Sequence, residues 1–485
     1  MSLIRQYNKF AQENPSDIQK ALTAAAGVGN ALIPEHLEQV ITNALPRLSP
    51  TVAMMTPKYD AQEIHQFNRL TALPGIGGAM GESAVTPVSQ PNFTRATVTL
   101  KVIRRKGSTT NFLIDTAKKN VDAAATNLEA CILSHLYDLE NYTLFGNATA
   151  NPYEYSGWDH FITTNRINKA IGGTVATSLA EIDTLLDNNL ARQGESHKKA
   201  FIMSPYMLSK FSQLLTNVRL NQGLQGSITQ VDVGGGWRLN AYRDVPIIVS
   251  GSCRPGSTMG VTVPSTAVDA GTPASIPDAT TRYFRVAGVT RDGEEISCAE
   301  INQLTGAAGG NDNYIQLVWP ANVNAYRYKI YVGTATGVLL LRAIIPGFTY
   351  NANGTITGAT TSNIDGAATV GTYTSDANGN VTTVRFNSDP NVAKTSVPVG
   401  LQSDTPLVQT GGISPEYLWM IDLDEFQGMG RLPYTNQGGA RFNGLVTIKD
   451  LAETDDWLEF LIKSYCAVAD SFEATSSVIR GLRVS

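Results

Sequence analysis

The sequence predicts an α+β protein into which an all-β sandwich domain is inserted. The segment between Asp115 and Gly146 contains no proline or glycine and has apolar residues at helical spacing, which indicates one long helix. Residues 93–105 alternate between apolar and polar side chains, which is typical of a half-buried strand. Residues 253–410 contain short strand patterns separated by turn residues, which favours a β-sandwich.

Residues 1–55 predict an N-terminal arm followed by a short amphipathic helix. Pro34 suits the first helical position, where its missing N–H costs no hydrogen bond, and Pro46 ends the pattern. The apolar face comprises Leu37, Val40, Ile41 and Leu45. This helix either belongs to a core or docks on a neighbouring molecule, and the sequence leaves both interpretations open.

Residues 56–110 predict an extended two-stranded β arm. Strand patterns over 59–70 and 93–105 flank a stretch that is rich in Gly, Pro, Ser and Thr. In the second strand the predicted inward face comprises Ala96, Val98, Leu100 and Val102, and the outward face comprises Arg95, Thr97, Thr99 and Lys101. We therefore expect a half-buried ribbon with a loose tip.

Residues 111–175 contain the predicted long helix. Asp115 is a candidate N-cap, and Gly146 can adopt the left-handed conformation that closes a helix. At 1.5 Å per residue such a helix would be on the order of 45 Å long. Its narrow apolar stripe comprises Val121, Ala125, Leu128, Ile132, His135, Leu139 and Tyr142.

An aromatic cluster follows the predicted helix and comprises Tyr153, Tyr155, Trp158 and Phe161. Aromatic side chains can stack on nucleic-acid bases, but almost no lysine or arginine lies among these four. We therefore expect them to pack in a loop.

Residues 176–252 predict a compact α/β or α+β domain. Ser178 with Glu181 forms a capping box before one helical pattern, and Ser204 with Pro205 begins a second one. The predicted elements are helices over 178–190 and 206–215 and strands over 200–203, 238–242 and 245–249.

The predicted sandwich domain has strands over 283–290, 295–301, 314–319, 326–332, 339–345 and 380–386. The dipeptides Asn353-Gly354 and Asn378-Gly379 are hairpin-type turns. Residues 411–485 then return to the character of the earlier domains. There we expect strands over 417–423, 445–451, 457–469 and 478–484, and a Gly-rich loop over 427–444.

Residues 314–349 resemble a fibronectin type III domain. The resemblance rests on an inward Trp319 followed by Pro320, on the Tyr-Arg-Tyr-Lys-Ile-Tyr run that begins at Tyr326, and on an apolar strand that ends at Pro346. It implies an immunoglobulin-like insertion domain. Such a fold does not by itself imply a ligand.

The composition restricts the class of protein. A net charge of -5 argues against a protein that wraps nucleic acid, which would be basic. The four cysteines, Cys131, Cys253, Cys298 and Cys466, are widely scattered and lack metal-ligand spacing, which favours a reducing compartment. Residues 1–14 lack the apolar region of a signal peptide, and no run approaches the roughly 20 apolar residues that span a bilayer. We expect no membrane partner.

The order of arm, long helix, α/β domain and closing strands resembles the HK97-like major capsid proteins of tailed bacteriophages. The sequence Ala-Phe-Ile-Met-Ser-Pro at 200–205 resembles that family's strand-to-helix entry in the axial domain. Val-Pro-Ile-Ile-Val-Ser at 245–250 resembles its following central strand. The resemblance implies an N-arm (1–55), an extended loop (56–110), a peripheral domain with a spine helix (111–175), an axial domain (176–252), the insertion (253–410) and a return to both domains (411–485).

The resemblance further implies a structural virion protein. Its members form hexamers and pentamers of an icosahedral shell that encloses double-stranded DNA, which the inner face contacts without reading its sequence. The shell assembles in the host cytoplasm, and its partners include scaffolding, portal and decoration proteins. The insertion is expected on the outer surface, where a host surface or a glycan is a conceivable contact.

Some members of that family crosslink their subunits through a lysine on the extended loop. Residues 70–92 contain no lysine, and Lys101 and Lys106 lie at the base of the arm instead. We therefore expect no autocatalytic crosslinking. Because the spine helix starts early in the chain, we also expect any scaffolding protein to be a separate chain.

The sequence predicts no catalytic, cofactor-binding or metal-binding residue. The isolated histidines are His36, His65, His135, His160 and His197. Two acidic groups, expected to be exposed carboxylates at turns, comprise Asp422, Asp424 and Glu425, and Glu453, Asp455 and Asp456. The glycines Gly75, Gly77 and Gly78, and Gly234, Gly235 and Gly236, lack the strand-to-helix context of a phosphate loop. The one dense basic cluster, Arg104, Arg105 and Lys106, is expected to pair with an adjacent subunit rather than with DNA.

Three alternative functions stay open. An encapsulin-like nanocompartment shell shares the fold, and the insertion argues mildly against it. A secreted adhesin with a fibronectin module is disfavoured by the long helix and the missing signal peptide. A glycan-processing enzyme would need a convincing pair of carboxylates, which the sequence does not provide.

Overall fold

The computed structural model is a mixed α/β structure in which strands predominate. It describes residues 51, 57–59, 64–75, 88, 90–117, 122–169, 178–192, 199–222, 228–232, 238–251, 265–270, 276–277, 280–290, 295–305, 312–407, 416–423, 432–434, 440–441, 446–451, 456–469 and 472–482. The predicted N-terminal arm and helix lie outside these residues.

The described helices are α1 (Asn111–Ala117), α2 (Ala123–Phe145), α3 (Trp158–Phe161), α4 (Leu179–Arg192) and α5 (Pro205–Gln222). The first nine strands are β1 (Pro57–Tyr59), β2 (Ile64–Ala72), β3 (Asn92–Thr99), β4 (Lys101–Thr110), β5 (Arg166–Asn168), β6 (Lys199–Met203), β7 (Ile228–Asp232), β8 (Arg238–Tyr242) and β9 (Val245–Val249).

The next ten strands are β10 (Ser265–Ala270), β11 (Thr281–Thr290), β12 (Glu295–Ser297), β13 (Ile301–Leu304), β14 (Asp312–Val318), β15 (Ala325–Ala335), β16 (Val338–Pro346), β17 (Thr361–Asn363), β18 (Gly371–Ser375) and β19 (Val381–Phe386). The last six are β20 (Glu416–Asp422), β21 (Leu432–Tyr434), β22 (Ala440–Arg441), β23 (Val446–Asp450), β24 (Trp457–Cys466) and β25 (Ser477–Leu482).

The chain divides into two compact units. One unit includes the described residues within Ser108–Asn127 and Glu453–Leu458, where the Asn111 N–H donates to the Asp456 carbonyl at 3.1 Å. The other unit holds the remaining described residues. All contacts discussed below as a candidate site lie within this second unit.

The long helix differs from its prediction at its start. Asp115 lies inside the separate short helix α1, and the side chain that caps α2 is Asp122, whose Oδ1 accepts the Ala125 N–H at 3.0 Å. The predicted end is confirmed, since α2 stops at Phe145, directly before Gly146. A helix of this length spans about 35 Å.

The predicted narrow stripe of α2 is also corrected. The last third of the helix is buried on all sides, and its buried residues are His135, Asp138, Leu139, Glu140, Asn141, Thr143, Leu144 and Phe145. Several of these are polar or charged, so periodicity of apolar residues could not reveal this burial.

A seven-stranded sheet forms the centre of the larger unit, in the order β5-β25-β20-β6-β9-β8-β7. Every residue of β20 is buried, and its side chains alternate between two cores. Trp419 and Ile421 join the core that includes Leu139 and Phe145 of α2. Leu418 and Met420 join the core that packs against α4 and α5. The sheet therefore lies between α2 on one face and two helices on the other.

The helix starts in this region follow the prediction. The Ser178 hydroxyl accepts the Glu181 N–H at 3.3 Å, and the Ser204 hydroxyl accepts the Met207 N–H at 3.0 Å. The Glu181 carboxylate, however, contacts the Lys169 ammonium. Helix α5 extends to Gln222, beyond the predicted end, because no glycine or proline interrupts it.

Residues 265–407 form two five-stranded sheets that enclose one apolar core, and we call this part the two-sheet module. One sheet has the order β10-β14-β19-β18-β17, and the other has β12-β11-β15-β16 with β13 also paired to β11. Trp319 is buried in the shared core, as predicted.

Several predicted strands of the module need correction. The strand predicted over 295–301 is two strands, β12 and β13, and the prediction missed β10, β17 and β18. Strands this short and rich in Thr and Ser give little apolar alternation. The predicted Gly-rich loop over 427–444 contains the short strands β21 and β22.

The predicted face of the arm changes at Leu100, between β3 and β4. Ala96 and Val98 are partly buried as expected, but Val102 is exposed and Ile103 is buried. The break between the two strands shifts the alternation by one residue, so every later side chain of β4 points to the opposite face from the prediction.

Candidate functional site

The arm is a two-stranded antiparallel ribbon of β2 and β3. Leu70 pairs with Phe93 across the ribbon, and their exposed fractions are 53% and 66%. Leu73 and Val88 are exposed at 76% and 90%. An isolated two-stranded ribbon is marginally stable in water, and exposed large apolar side chains usually mark an interaction surface. We call this ribbon with its four exposed apolar residues the arm surface.

A groove of about 280 Å³ separates the base of the arm from the body of the larger unit. It is lined by Phe67, Arg69, Ala96, Thr97, Val98, Thr99, Lys101, Ala148, Tyr155, Ser156, Phe161, Ala467 and Val468. The Lys101 ammonium crosses to the Pro152 carbonyl at 2.7 Å. The arm is therefore held at its base while its outer part stays exposed.

The basic cluster at the end of the arm has partners within the chain. Arg105 Nη2 lies 2.5 Å from Asp138 Oδ2, and Lys106 Nζ lies 2.7 Å from Glu459 Oε1. Burial lowers the pKa of Arg105, but Asp138 outweighs it and the net direction is upward. Two of the three cations expected to face a neighbouring subunit are thus paired internally, and Arg104 is exposed.

Strand β15 is buried on both faces. Tyr328, Ile330 and Val332 point into the core of the two-sheet module. Arg327 and Lys329, which alternate with them, are also buried, at 1% exposure each. A strand with lysine and arginine on one face is usually solvated on that face, so these side chains need buried partners here.

Those partners form what we call the charged junction. Lys329 Nζ lies 3.0 Å from Asp159 Oδ2, and Arg166 Nη2 lies 2.8 Å from Asp159 Oδ1. Arg166 Nε also donates to Asp404 Oδ1 at 2.7 Å, and Arg480 Nη1 lies 3.0 Å from Asp404 Oδ2. The junction joins β15 and Asp404 of the two-sheet module to α3 and to β5 and β25 of the seven-stranded sheet.

A second set of contacts extends the junction to α2. Arg327 donates to Glu154 Oε2 at 2.8 Å and to Asn141 Oδ1 at 3.1 Å. Asn141 Nδ2 in turn donates to the Thr290 carbonyl at 2.8 Å. The Tyr326 hydroxyl donates to Asp138. The module is therefore fixed to the body by hydrogen-bonded ion pairs as well as by apolar packing.

The electrostatics of the junction follow from its composition. Burial alone would raise the pKa of Asp159, but Arg166 and Lys329 hold it well below its usual range. For Arg166 the two carboxylates outweigh burial and raise the pKa. Burial raises the pKa of Glu154 despite its pairing with Arg327. These groups serve each other as counter-charges, which is a structural use of charge.

The structure places the histidines apart from one another. His135 is fully buried in α2, and its Nε2 lies 2.8 Å from Ser464 Oγ. His65 is half-buried on the arm beside Phe67, with ring centroids 5.8 Å apart. His160 is half-buried in α3, and burial lowers its pKa. His36 and His197 lie outside the described residues.

The structure describes one residue of each candidate carboxylate group, Asp422 and Asp456. Asp422 is buried and forms an ion pair with Lys199 at 2.9 Å, which corrects its expected exposure at a turn. Asp456 is exposed. The other members, Asp424, Glu425, Glu453 and Asp455, lie outside the described residues. Among the residues that the structure describes, no group of three or more His, Cys, Asp or Glu could hold a metal ion.

The remaining candidates are placed as follows. Of the aromatic cluster, Tyr155 and Trp158 are buried as predicted, Phe161 is half-buried, and Tyr153 is exposed. Residues 158–161 form the short helix α3 instead of a loop. Cys131, Cys298 and Cys466 are free thiols. Gly75 is exposed at the end of the described arm. The other flagged glycines, Gly77, Gly78, Gly234, Gly235 and Gly236, and Cys253 lie outside the described residues.

No helix in the described part of the chain has both the length and the apolar character needed to cross a membrane.

Comparison with known proteins gives similar solved structures, which are phage capsids and an encapsulin. No protein-family model and no curated protein matches the chain. The holo-SrpI encapsulin complex of Synechococcus elongatus PCC 7942 is 10% identical with a TM-score of 0.41, covering 92% of this chain and 93% of that chain. The capsid of a native GTA particle is 9% identical with a TM-score of 0.41, covering 95% and 99%. The capsid of cyanophage A-1(L) is 11% identical with a TM-score of 0.43, covering 93% and 98%.

Proposed function

We propose that this chain is a structural shell subunit: a major capsid protein with the HK97-like fold that has no enzymatic activity. Copies of it would form hexamers and pentamers of an icosahedral shell around phage double-stranded DNA. The observation that carries the proposal is the arm surface, where four large apolar side chains are exposed on a thin ribbon. The order of arm, long helix and central sheet supports it.

The arm surface needs a partner for a physical reason. Leu70 and Phe93 form a cross-strand pair, and more than half of each side chain is exposed. Covering such side chains contributes about 25 cal/mol per Å² of apolar area removed from water. If the partner is a second copy of the same chain, the arm of each subunit contacts the next subunit. Repeated head-to-tail contacts related by a rotation then form a closed ring.

The proposal divides the chain into functional parts. Residues 1–55 are the N-terminal arm and helix, 56–110 the extended loop, 111–175 the peripheral domain, 176–252 the first part of the axial domain, and 411–485 the return to the axial and peripheral domains. Residues 253–410 are an immunoglobulin-like or fibronectin-like insertion on the outer surface, available to a host surface or a glycan. The charged junction holds the described part of the insertion to the body.

The proposal also names partners and location. The subunit assembles in the host cytoplasm with a separate scaffolding protein, a portal and decoration proteins, and it ends in the virion shell. Its inner face contacts packaged DNA without sequence-specific base contacts, in keeping with the net charge of -5.

The test is assembly of arm variants. We expect the wild-type chain, alone or with a scaffolding partner, to give closed particles or rings in negative-stain images and sizing. Leu70→Asp/Phe93→Asp should reduce the assembled fraction at least about tenfold, because each charge would be buried at the contact. Circular dichroism should stay unchanged, since both side chains are exposed.

The matched control is Val323→Asp/Val399→Asp, which places the same two charges at apolar residues of the two-sheet module that are 68% and 84% exposed. This variant should assemble like the wild type. Normal assembly of the arm variant would overturn the role of the arm. A wild-type chain that stays monomeric with a scaffolding partner would overturn the shell function. Particles that package protein cargo and no nucleic acid would indicate a nanocompartment instead.

A further inference from the structure

Ser204 connects the central sheet to a helix. It lies between the end of β6 and the start of α5. Its hydroxyl oxygen accepts the Met207 N–H at 3.0 Å, and its carbonyl accepts the Leu208 N–H at 3.0 Å. Ser204 therefore holds the first turn of α5 in place.

Glu416 is bonded to this same serine. It is the first residue of β20, and only 1% of it is exposed. Its Oε2 accepts a hydrogen bond from the Ser204 hydroxyl, whereas Oε1 has no hydrogen-bond partner among the described residues. A buried carboxyl group thus connects the start of β20 with the start of α5.

Among the residues that the structure describes, none of the groups acting on Glu416 is a cation. From α5 it meets Ser204 and the Met207 N–H, and from β25 the residue opposite is Leu482. Arg480, two positions along β25, is bonded to Asp404 and to the Tyr331 hydroxyl.

The neighbouring strand end has a separate contact between a serine and an acid. There the Ser250 hydroxyl, at the end of β9, donates to Glu140 Oε1 of α2 at 2.5 Å. The Ser250 N–H donates to the carbonyl of Met203, the residue before Ser204, at 2.9 Å. The described groups bonded to Glu416 itself are the Ser204 hydroxyl and the Met207 N–H, and neither is a base.

The protonation behaviour agrees with this geometry. Burial raises the pKa of Glu416 to about 7, against the opposing effect of its hydrogen bonds from Ser204 and Met207. A neutral carboxyl keeps the bond from Ser204 without a buried charge, whereas an ionised carboxylate leaves an uncompensated one.

We propose that Glu416 and Ser204 form a pH-operated latch that joins the start of β20 to the first turn of α5 when the carboxyl is protonated and releases them when it ionises. The latch is a property of this fold and does not depend on shell assembly. Because the folded state raises the pKa of Glu416 above its ordinary value, the stabilisation is complete at pH values below that ordinary value. It is lost as the pH rises through about 7.

Hydrogen exchange of the full chain, followed by mass spectrometry, tests the latch. The peptide that covers Ser204 to Phe211 reports opening of the first turn of α5. After correction for the intrinsic exchange rate, protection in the wild type should fall about tenfold between about pH 6 and about pH 8.5. Opening scales with the ionised fraction, which rises from about one tenth to nearly one for a pKa of about 7. Glu416→Gln should show the same high protection at both pH values, because glutamine stays neutral and keeps an acceptor for Ser204.

Two further variants separate the latch from general pH effects. Glu129→Gln removes an exposed carboxylate of α2 and should keep the wild-type pH dependence. Ser204→Ala should open the first turn of α5 at both pH values. The proposal is wrong if protection in the wild type is the same at both pH values. It is also wrong if Glu416→Gln loses as much protection as the wild type when the pH rises. If a variant does not fold, the melting temperature of the wild type still decides: it must fall as the pH rises through about 7.

Discussion

Asp404 is fully buried between two arginines, and its replacement is the sharpest residue-level test of the charged junction. Asp404→Asn keeps the shape of the side chain but leaves Arg166 and Arg480 with one counter-charge fewer. Breaking a buried ion pair by removing one partner costs about 3–5 kcal/mol, because the remaining charge stays buried. We expect a loss of this size in the free energy of unfolding, measured by urea denaturation.

The control for this prediction is Asp187→Asn. Asp187 also pairs with an arginine, Arg243, at 2.7 Å, but its side chain is 60% exposed. Exposed pairs of this kind contribute roughly 0–1 kcal/mol. Similar losses for both variants would mean that the junction contributes no more than a surface ion pair.

Prediction of single residues from the sequence succeeded where a residue type has one usual environment in folded proteins. Trp319 was expected inside an apolar core and lies there. For Arg327 and Lys329 the sequence predicted only that they lie in a strand, and the structure buries both. Their partners Glu154 and Asp159 are far away in the chain, and no local pattern shows that a carboxylate will face a given cation after folding.

At the scale of elements, the start of α2 gives a direct test of the corrected helix boundary. Asp122→Ala removes the side chain that accepts the Ala125 N–H, and we expect a loss of about 1 kcal/mol in the free energy of unfolding. Asp115→Ala changes an exposed residue within α1 and should have little effect. Thermal unfolding followed by circular dichroism compares the two. The reverse order of effects would restore Asp115 as the cap.

The helix caps and the strand faces show which local sequence rules predict this structure correctly. Ser178 and Ser204 cap helices as predicted, because each is followed directly by a helical pattern and has no competing cap nearby. Asp115 and Asp122 are both reasonable caps, and the choice depends on the separate helix α1. In the arm, the break at Leu100 reverses the faces of β4, which strict alternation across residues 93–105 could not show.

At the scale of the whole molecule, the charged junction predicts that the proposed insertion cannot be removed as a simple loop. A chain that lacks residues 253–410 would keep Glu154 without Arg327, and Arg166 and Arg480 without Asp404. Uncompensated buried charge and newly exposed apolar surface should make most of this chain insoluble. The measurement is the soluble fraction after expression, compared with that of the full chain.

A second deletion chain with Glu154→Gln separates the two causes. If unpaired charge dominates, neutralising this acid should recover part of the soluble fraction. A soluble, folded deletion chain without this change would show that the module is dispensable for the body. It would also show that the charged junction contributes no more to stability than a surface ion pair.

The sequence predicted the overall organisation of the chain better than it predicted the charged junction. A mixed α/β structure with many strands follows from the turn residues and the alternation, and the structure agrees. The contacts that fix the two-sheet module join residues near positions 160, 330, 404 and 480, which are separated by most of the chain. Only the folded arrangement brings them together.

One consequence concerns the turn between β15 and β16, where Ala335, Thr336, Gly337 and Val338 are exposed. Gly337 has a φ of 74° with open space around it, and its N–H is bonded to Glu300 at 3.0 Å. The same β15 carries Arg327 and Lys329, which anchor it to the body. A peptide epitope grafted into this turn would be attached to a strand that is fixed to the body of the protein. Antibodies or receptors would meet it at one defined angle on every copy of the chain.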